Sequence, residues 1–256
     1  MATFRYDSAE VANIWIEKTL GMSTAMDLLR AAATGPEGLE SFLQTHELTS
    51  QLAAEVRDVF VRSIHAGHLE TAELAASVGA MLWLRLGNTH EMFRNVIDHL
   101  QVRFQLAHDA ASYVAVRSST LDVLSRVVSL QDDELGFRAA VLAADAAYFG
   151  HQVGGERLGL SIPLMLADLA AATNYAQRAA PSTWFPRFVG LTAAVAQRAM
   201  AEDLSEDQRE QADRSLRHLA GEVASLRPTS RYFPEDPEKA RQVDALLTAL
   251  VSRYGS

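Results

Sequence analysis

The sequence predicts an all-α fold, and three observations carry that prediction. Alanine occurs 42 times in 256 residues, against 14 glycines and 7 prolines; alanine, like the similarly prominent leucine, is a strong helix former, and glycine and proline are breakers. The breakers gather between periodic stretches and leave the stretches themselves intact. Apolar residues recur at helical spacing, whereas no run of β-branched residues alternates with period two. Val114 to Arg117 and Val127 to Ser129 are short and lie inside helical periodicity.

The elements follow in order. Ser8 caps a first helix carrying Val11, Ile14, Trp15 and Lys18, which Gly21 ends or bends. Ser23 to Ala33 continues until Thr34-Gly35-Pro36, and Pro36 opens a short helix through Gln44. Thr49 caps a longer helix with Leu52, Val56, Val59, Phe60 and Ser63 along one side, and His65-Ala66-Gly67-His68 turns the chain. Leu69 to Leu86 is closed by Gly87-Asn88, a C-terminal stop, and Thr89 caps the next helix as far as Leu106. His108-Asp109 turns into a helix over 110–130, and Gln131-Asp132-Asp133 starts another that reaches Phe149. Residues 150–159 hold four glycines and read as a flexible joint between a repeat-like half, 1–149, and a C-terminal half, 160–256. Beyond it come helices over 162–179, 184–200 and 205–226, the last with a Ser205–Gln208 capping box. A proline-containing loop over 227–237 leads to a final helix ending at Tyr254. Long helices joined by short links run antiparallel to their neighbours, so the chain is either a stack of hairpins or an irregular bundle.

Composition removes several functions. The sequence has no cysteine, which excludes a disulfide framework, thiolate metal sites and a cysteine nucleophile. A net charge of −9 argues against nonspecific nucleic-acid binding, which needs clustered positive charge. No charge-free apolar run is long enough to span a bilayer, and nothing behind Arg5 reads as a secretory signal, so a cytoplasmic protein is expected. Lys18 and Lys239 are the only lysines beside 21 arginines, which reads as the coding bias of a GC-rich, bacterial genome.

Two turn-to-helix passages are alike. Ala66-Gly67-His68 leads into Leu69 to Ala75 and on to Leu82, Trp83 and Leu86, and Ala107-His108-Asp109 leads into Ala110 to Tyr113; a further step of similar length reaches Gly150-His151. Each turn follows a helix with an aromatic near its end: Phe60, Phe104 and Tyr148-Phe149. With Gly67 in the turn and Ala72, Ala75, Ala76 and Ala80 after it, the stretch over about 48–150 resembles a tetratricopeptide-like (TPR-like) repeat protein. The spacing is nearer 40 than the family's 34, and the signature aromatic and proline positions are mostly absent. The resemblance implies stacked helix hairpins with a groove that binds a segment of another protein.

No catalytic set emerges. His65 and His68 read as turn residues, Asp132-Asp133-Glu134 as acids complementing a helix N-terminus, and the glycine-rich 150–159 lacks the strand and lysine of a phosphate loop. Glu91, Asn95, His99 and Arg103 follow one another at i,i+4 as a polar stripe, with Glu134, Arg138, Asp145 and Tyr148 as the corresponding positions later on. On the family resemblance such stripes line the concave surface, where Arg103 and Arg138 fork a carboxylate and Asn95 holds a peptide backbone. Trp184, Phe185 and Phe188 are either a partner anchor or a plug over the core. The expectation is a non-enzymatic scaffold with no cofactor and no metal. It binds a protein or peptide segment through Asn95, His99, Arg103, Arg138, Asp145, Tyr148 and Trp184. The acidic balance suits a basic partner, and Trp15, Met22, Leu246, Leu247 and Leu250 are capping or self-association positions. The alternative is a helical enzyme or small-molecule binder with a central cavity, metal-dependent or not, lined by Tyr148, His151 or Trp184.

Overall fold

The computed structural model describes residues 24–176, 178–179, 183–224 and 229–255. The expected first helix with Trp15 and Met22, and the ends of the loops at Pro181 and Arg227, lie outside the described residues. Among the described residues there are eleven α-helices and no strand, so the fold is all-α. The chain falls into two compact units, the first ending at Leu106 and the second beginning at Ala107.

The first unit contains α1 (Thr24–Ala33), α2 (Pro36–Thr45), α3 (Ser50–Ala66), α4 (Leu69–Arg85) and α5 (Thr89–Leu106). Thr49 caps α3 as expected, accepting from the Leu52 amide at 3.1 Å. Gly67 ends the helix in the left-handed region at φ 76°. At the start of α5 the cap is Asn88, not Thr89: its Oδ1 accepts from the Glu91 amide at 3.1 Å, and Thr89 is already helical. Gly87, left-handed at φ 72°, turns the chain one residue before that cap. Helix α4 packs against both α3 and α5, and short links make successive helices antiparallel. The buried face of α4 is built of small residues, Thr71, Ala72, Ala75, Ala76 and Gly79. Across it, Arg57 of α3 reaches Asp98 of α5 with a 2.6 Å Nη1–Oδ2 bond. The core is completed by Met26, Leu28, Leu29, Leu52, Val56, Leu82 and Val102.

The second unit contains α6 (Ala110–Val127), α7 (Asp133–Gln152), α8 (Ile162–Ala176), α9 (Phe185–Ala201), α10 (Glu206–Ala224) and α11 (Pro237–Tyr254), with short 3₁₀ turns at Val128–Leu130, Gly155–Leu158 and Thr229–Tyr232. Three aspartates cap helices of this unit: Asp109 for α6, Asp132 for α7 and Asp236 for α11, each accepting from an amide three residues on. The expected Ser205–Gln208 capping box is present. Helix α7 is buried over 15 of its 20 residues, so it is covered on every side, by α6, α8 and α9. Its alanines at 139, 140, 143, 144, 146 and 147 make that close packing possible. It also runs three residues past the expected end, so Gly150 and His151 are helical and not a turn.

The segment expected to be a joint, 150–159, lies inside this unit. Gly150 and Leu160 are buried in it, and a Cβ on Gly150 would stand 2.3 Å from Leu160 Cδ1.

Across α7, Arg117 of α6 holds Asp168 of α8 with two bonds of 2.8 and 2.9 Å. Burial nevertheless pushes the Asp168 carboxyl above its ordinary value, with Arg117 opposing the rise. Removing one partner of such a pair costs roughly 3–5 kcal/mol. Arg117→Met is therefore expected to lower the urea midpoint strongly at pH 8. The loss shrinks at pH 4.5, because a buried acid with a raised folded pKa is more stable below that pKa and loses stability as pH rises through it. Equal losses at both pH values would show that the carboxylate is not what Arg117 supports.

Candidate functional site

The sequence-predicted residues separate by unit. In the first, Asn95 is 1% exposed at the contact of α5 with α4. Its Nδ2 donates to Glu91 O at 2.8 Å, and its Oδ1 has no partner. That oxygen occupies the space a side chain on Gly79 would need, 2.5 Å from where a Cβ would sit. His99 and Arg103 follow on the same stripe and both turn to Glu73 of α4: His99 Nδ1 lies 3.4 Å from its carbonyl and Arg103 Nε 3.7 Å from its carboxylate. The stripe is thus one edge of the α4–α5 contact. A glycine inside a helix ordinarily gains about 1 kcal/mol on becoming alanine. Here Gly79→Ala is expected to destabilise by about 1–3 kcal/mol, since the new methyl displaces the Asn95 amide. Adding Asn95→Ala should recover most of that loss in a double-mutant cycle by denaturant unfolding; strictly additive losses would disprove the contact.

In the second unit Arg138, Asp145, Tyr148 and Trp184 gather. Trp184, 8% exposed, precedes α9, and the guanidiniums of Arg138 and Arg187 lie 5.5 and 5.6 Å from its ring centroid. Phe185 and Phe188 turn inward onto Phe137, with centroids 4.9 and 5.4 Å apart. Arg187, which follows Pro186 in the first turn of α9, donates through Nε to Asp145 of α7. Asp145 is 2% exposed, and its pKa is raised to about 6 because burial outweighs the attraction of Arg187.

Asp145 and Arg187 sit at one wall of an open cleft of about 590 Å³. Tyr148, Phe149, Leu191 and Leu246 give it an apolar lining, and Lys239 and Gln197 add polar groups. The Lys239 ammonium lies 5.1 Å from the centroid of the Phe233 ring. A volume of this size suits a side-chain cluster or a small ligand. Its charges, two cations and one buried carboxyl, suit an anionic group beside apolar surface. Sequence reasoning missed Arg187, Lys239 and Phe233. The signal for Arg187 was its place one residue after Pro186, in the first turn of a helix led in by tryptophan.

Elsewhere in the unit the acidic triplet is accounted for in part by its own neighbourhood. Asp132 caps α7, and Asp133 takes two 2.9 Å bonds from Arg178, which hold its carboxyl below the ordinary range.

The raised pKa of Asp145 has a measurable consequence. Between its unfolded value near 3.8 and about 6, the folded chain keeps a proton that the unfolded chain releases. Its contribution to stability is therefore complete below 3.8 and is lost as pH rises through about 6. Relative to Asp145→Asn, which cannot ionise, the wild type should lose about 2 kcal/mol between pH 4 and pH 7, an interval that covers most of the displacement at ~1.4 kcal/mol per unit. Parallel pH–stability curves for the two proteins would contradict the assignment.

Comparison with protein-family models, with curated proteins and with solved structures finds no match to this chain.

Proposed function

We propose that this chain is a non-enzymatic, cytoplasmic binding scaffold of TPR-like helix hairpins, which takes a short segment of another protein in the cleft of its second unit. The observation that supports this most is the composition of the cleft: an apolar lining of Tyr148, Phe149, Leu191 and Leu246 beside the cations Arg187 and Lys239. Such a surface recognises an apolar side chain next to a carboxylate, with an arginine fork supplying direction. The charge at the cleft favours an acidic segment, whereas the net charge of −9 on the whole chain favours a basic partner; local charge governs the contact itself. The carboxyl of Asp145 is engaged by Arg187, so it serves to hold that guanidinium at the cleft wall. The small-molecule reading is favoured by one observation, a cleft volume of about 590 Å³ within the range of ligand pockets.

Peptide-display selection against the intact chain tests the proposal. The expected outcome is enrichment of segments that pair an acidic residue with an aromatic or aliphatic one. Lys239→Glu and Leu246→Ser should abolish their binding while leaving the circular dichroism unchanged. Enrichment of segments that bind both variants as well as wild type would move the site elsewhere. Failure to enrich any segment, together with thermal stabilisation by a small anionic ligand, would establish the small-molecule reading instead.

A further inference from the structure

The glycine-rich stretch after Phe149 does something the cleft does not require. Helix α7 ends at Gln152, and the chain folds back through Gly154, left-handed at φ 88°, a 3₁₀ turn over Gly155–Leu158, and Gly159, left-handed at φ 84°. Gly155 sits so close to α7 that a Cβ there would stand 2.5 Å from Gly150 O. The result is a tight loop closed over the ring of His151, which is 7% exposed.

The loop fixes that ring. His151 Nδ1 lies 2.8 Å from Leu160 O, an acceptor only, so Nδ1 carries the proton and donates. The Nε2 lone pair is then presented on the other side of the ring. There it faces Glu156 Oε1 at 3.6 Å, longer than a hydrogen bond. Glu202, which caps the C-terminus of α9, brings a third donor, and the three ligand atoms lie within 4.8 Å of one another. Its main chain is held firmly: Glu202 N donates to Arg198 O at 2.8 Å, and its carbonyl accepts from Arg209 Nη2 at 2.8 Å. One of its carboxylate oxygens, Oε1, also accepts from Arg198 Nε at 2.8 Å, and a carboxylate has a second oxygen to offer.

From this arrangement we propose that His151, Glu156 and Glu202 form a binding site for a divalent transition-metal ion of the zinc class. Two ligands at a tetrahedral angle around one zinc ion lie ~3.4 Å apart, given metal–ligand distances of about 2.0–2.1 Å. The 3.6 Å between His151 Nε2 and Glu156 Oε1 is close to that spacing. Glu156, with a side chain 69% exposed, has room to adjust, and Glu202, held by Arg198 through Oε1, has its other carboxylate oxygen to offer. A ligating histidine whose other nitrogen donates to a backbone carbonyl is the arrangement that fixes tautomer and ring orientation at metal sites. One imidazole with two carboxylates suits zinc better than the all-oxygen sets of calcium and magnesium, and leaves a coordination position open. The inference is independent of the cleft, which none of these three residues lines.

Calorimetric titration of the intact chain with Zn²⁺ tests it, alongside thermal unfolding with and without the ion. One zinc per chain is expected, with a rise in the unfolding temperature. Glu156→Gln and His151→Gln should each weaken binding by about tenfold or more and remove that rise. His65→Gln/His68→Gln should change neither. Because Glu156 is a surface side chain, its variant folds, and a failure of His151→Gln to fold would not blunt the test. On zinc addition the His151 Nε2 resonance should move while Nδ1 keeps its proton. Three results would overturn the proposal: no zinc bound by the wild type, zinc bound with unchanged affinity by Glu156→Gln, or zinc bound at His65 and His68.

Discussion

The second unit depends on a helix that is buried almost all round and rich in alanine. A methyl side chain lets neighbouring helices approach closely, so α7 is covered by α6, α8 and α9 with little room left between them. That choice has a consequence for every buried polar residue α7 carries. Buried away from water, each must find a partner within the protein or impose a large desolvation cost. Arg138 lies against Trp184, Asp145 receives Arg187, and His151 donates to the Leu160 carbonyl. The partners of the first two come from the start of α9, and that of the third from the loop that follows α7. The alanine helix thereby dictates where α9 begins and how the loop closes.

The same device fixes the registry of the helices on either side. In each unit a helix of small residues lies between two others, and an arginine from the first reaches an aspartate on the third. Arg57 meets Asp98 across α4, and Arg117 meets Asp168 across α7. A buried ion pair adds little net stability over an apolar alternative, but an unpaired charge in its place is severely penalised. The pair thus selects against sliding of the outer helices more than it strengthens the fold. Asp145 with Arg187 obeys the same rule at a more extreme balance: burial exceeds attraction, and the carboxyl stays partly protonated near neutrality.

Much of the fold was legible because it is written locally. Apolar spacing and breaker residues place the helices, and Thr49, Asp132 and the Ser205–Gln208 pair announce helix starts through hydrogen bonds that span three residues. The misreadings share a cause. Thr89 looked like a cap, but Gly87 and Asn88 together form the turn, and Asn88 reaches the free amide first. Residues 150–159 looked flexible because glycine is permissive in an isolated chain; in contact with α7 it is instead the residue that permits close approach. The site was half visible. Arg138, Asp145, Tyr148 and Trp184 were drawn out as polar or aromatic positions, yet Arg187, Lys239 and Phe233 reach the same place from α9, α11 and the loop before it. Such tertiary convergence leaves no periodic trace in a sequence.

Burial also decides which residues can meet a ligand. Arg138 and Asp145 sit on a helix with almost no solvent-facing surface, so neither can present a broad binding face itself. Their influence passes through what they hold. Asp145 fixes Arg187, Trp184 lies beside that guanidinium, and Arg187 then lines the cleft together with Lys239. His151 stands in the same relation to Glu156 and Glu202: the buried ring is oriented by the backbone, and the more accessible carboxylates complete the set. A core helix with a few charged or ring-bearing residues among alanines is therefore a means of positioning. It spends desolvation energy at three points to hold side chains from the start of α9 and from the following loop in fixed directions, which is what preorganised recognition requires.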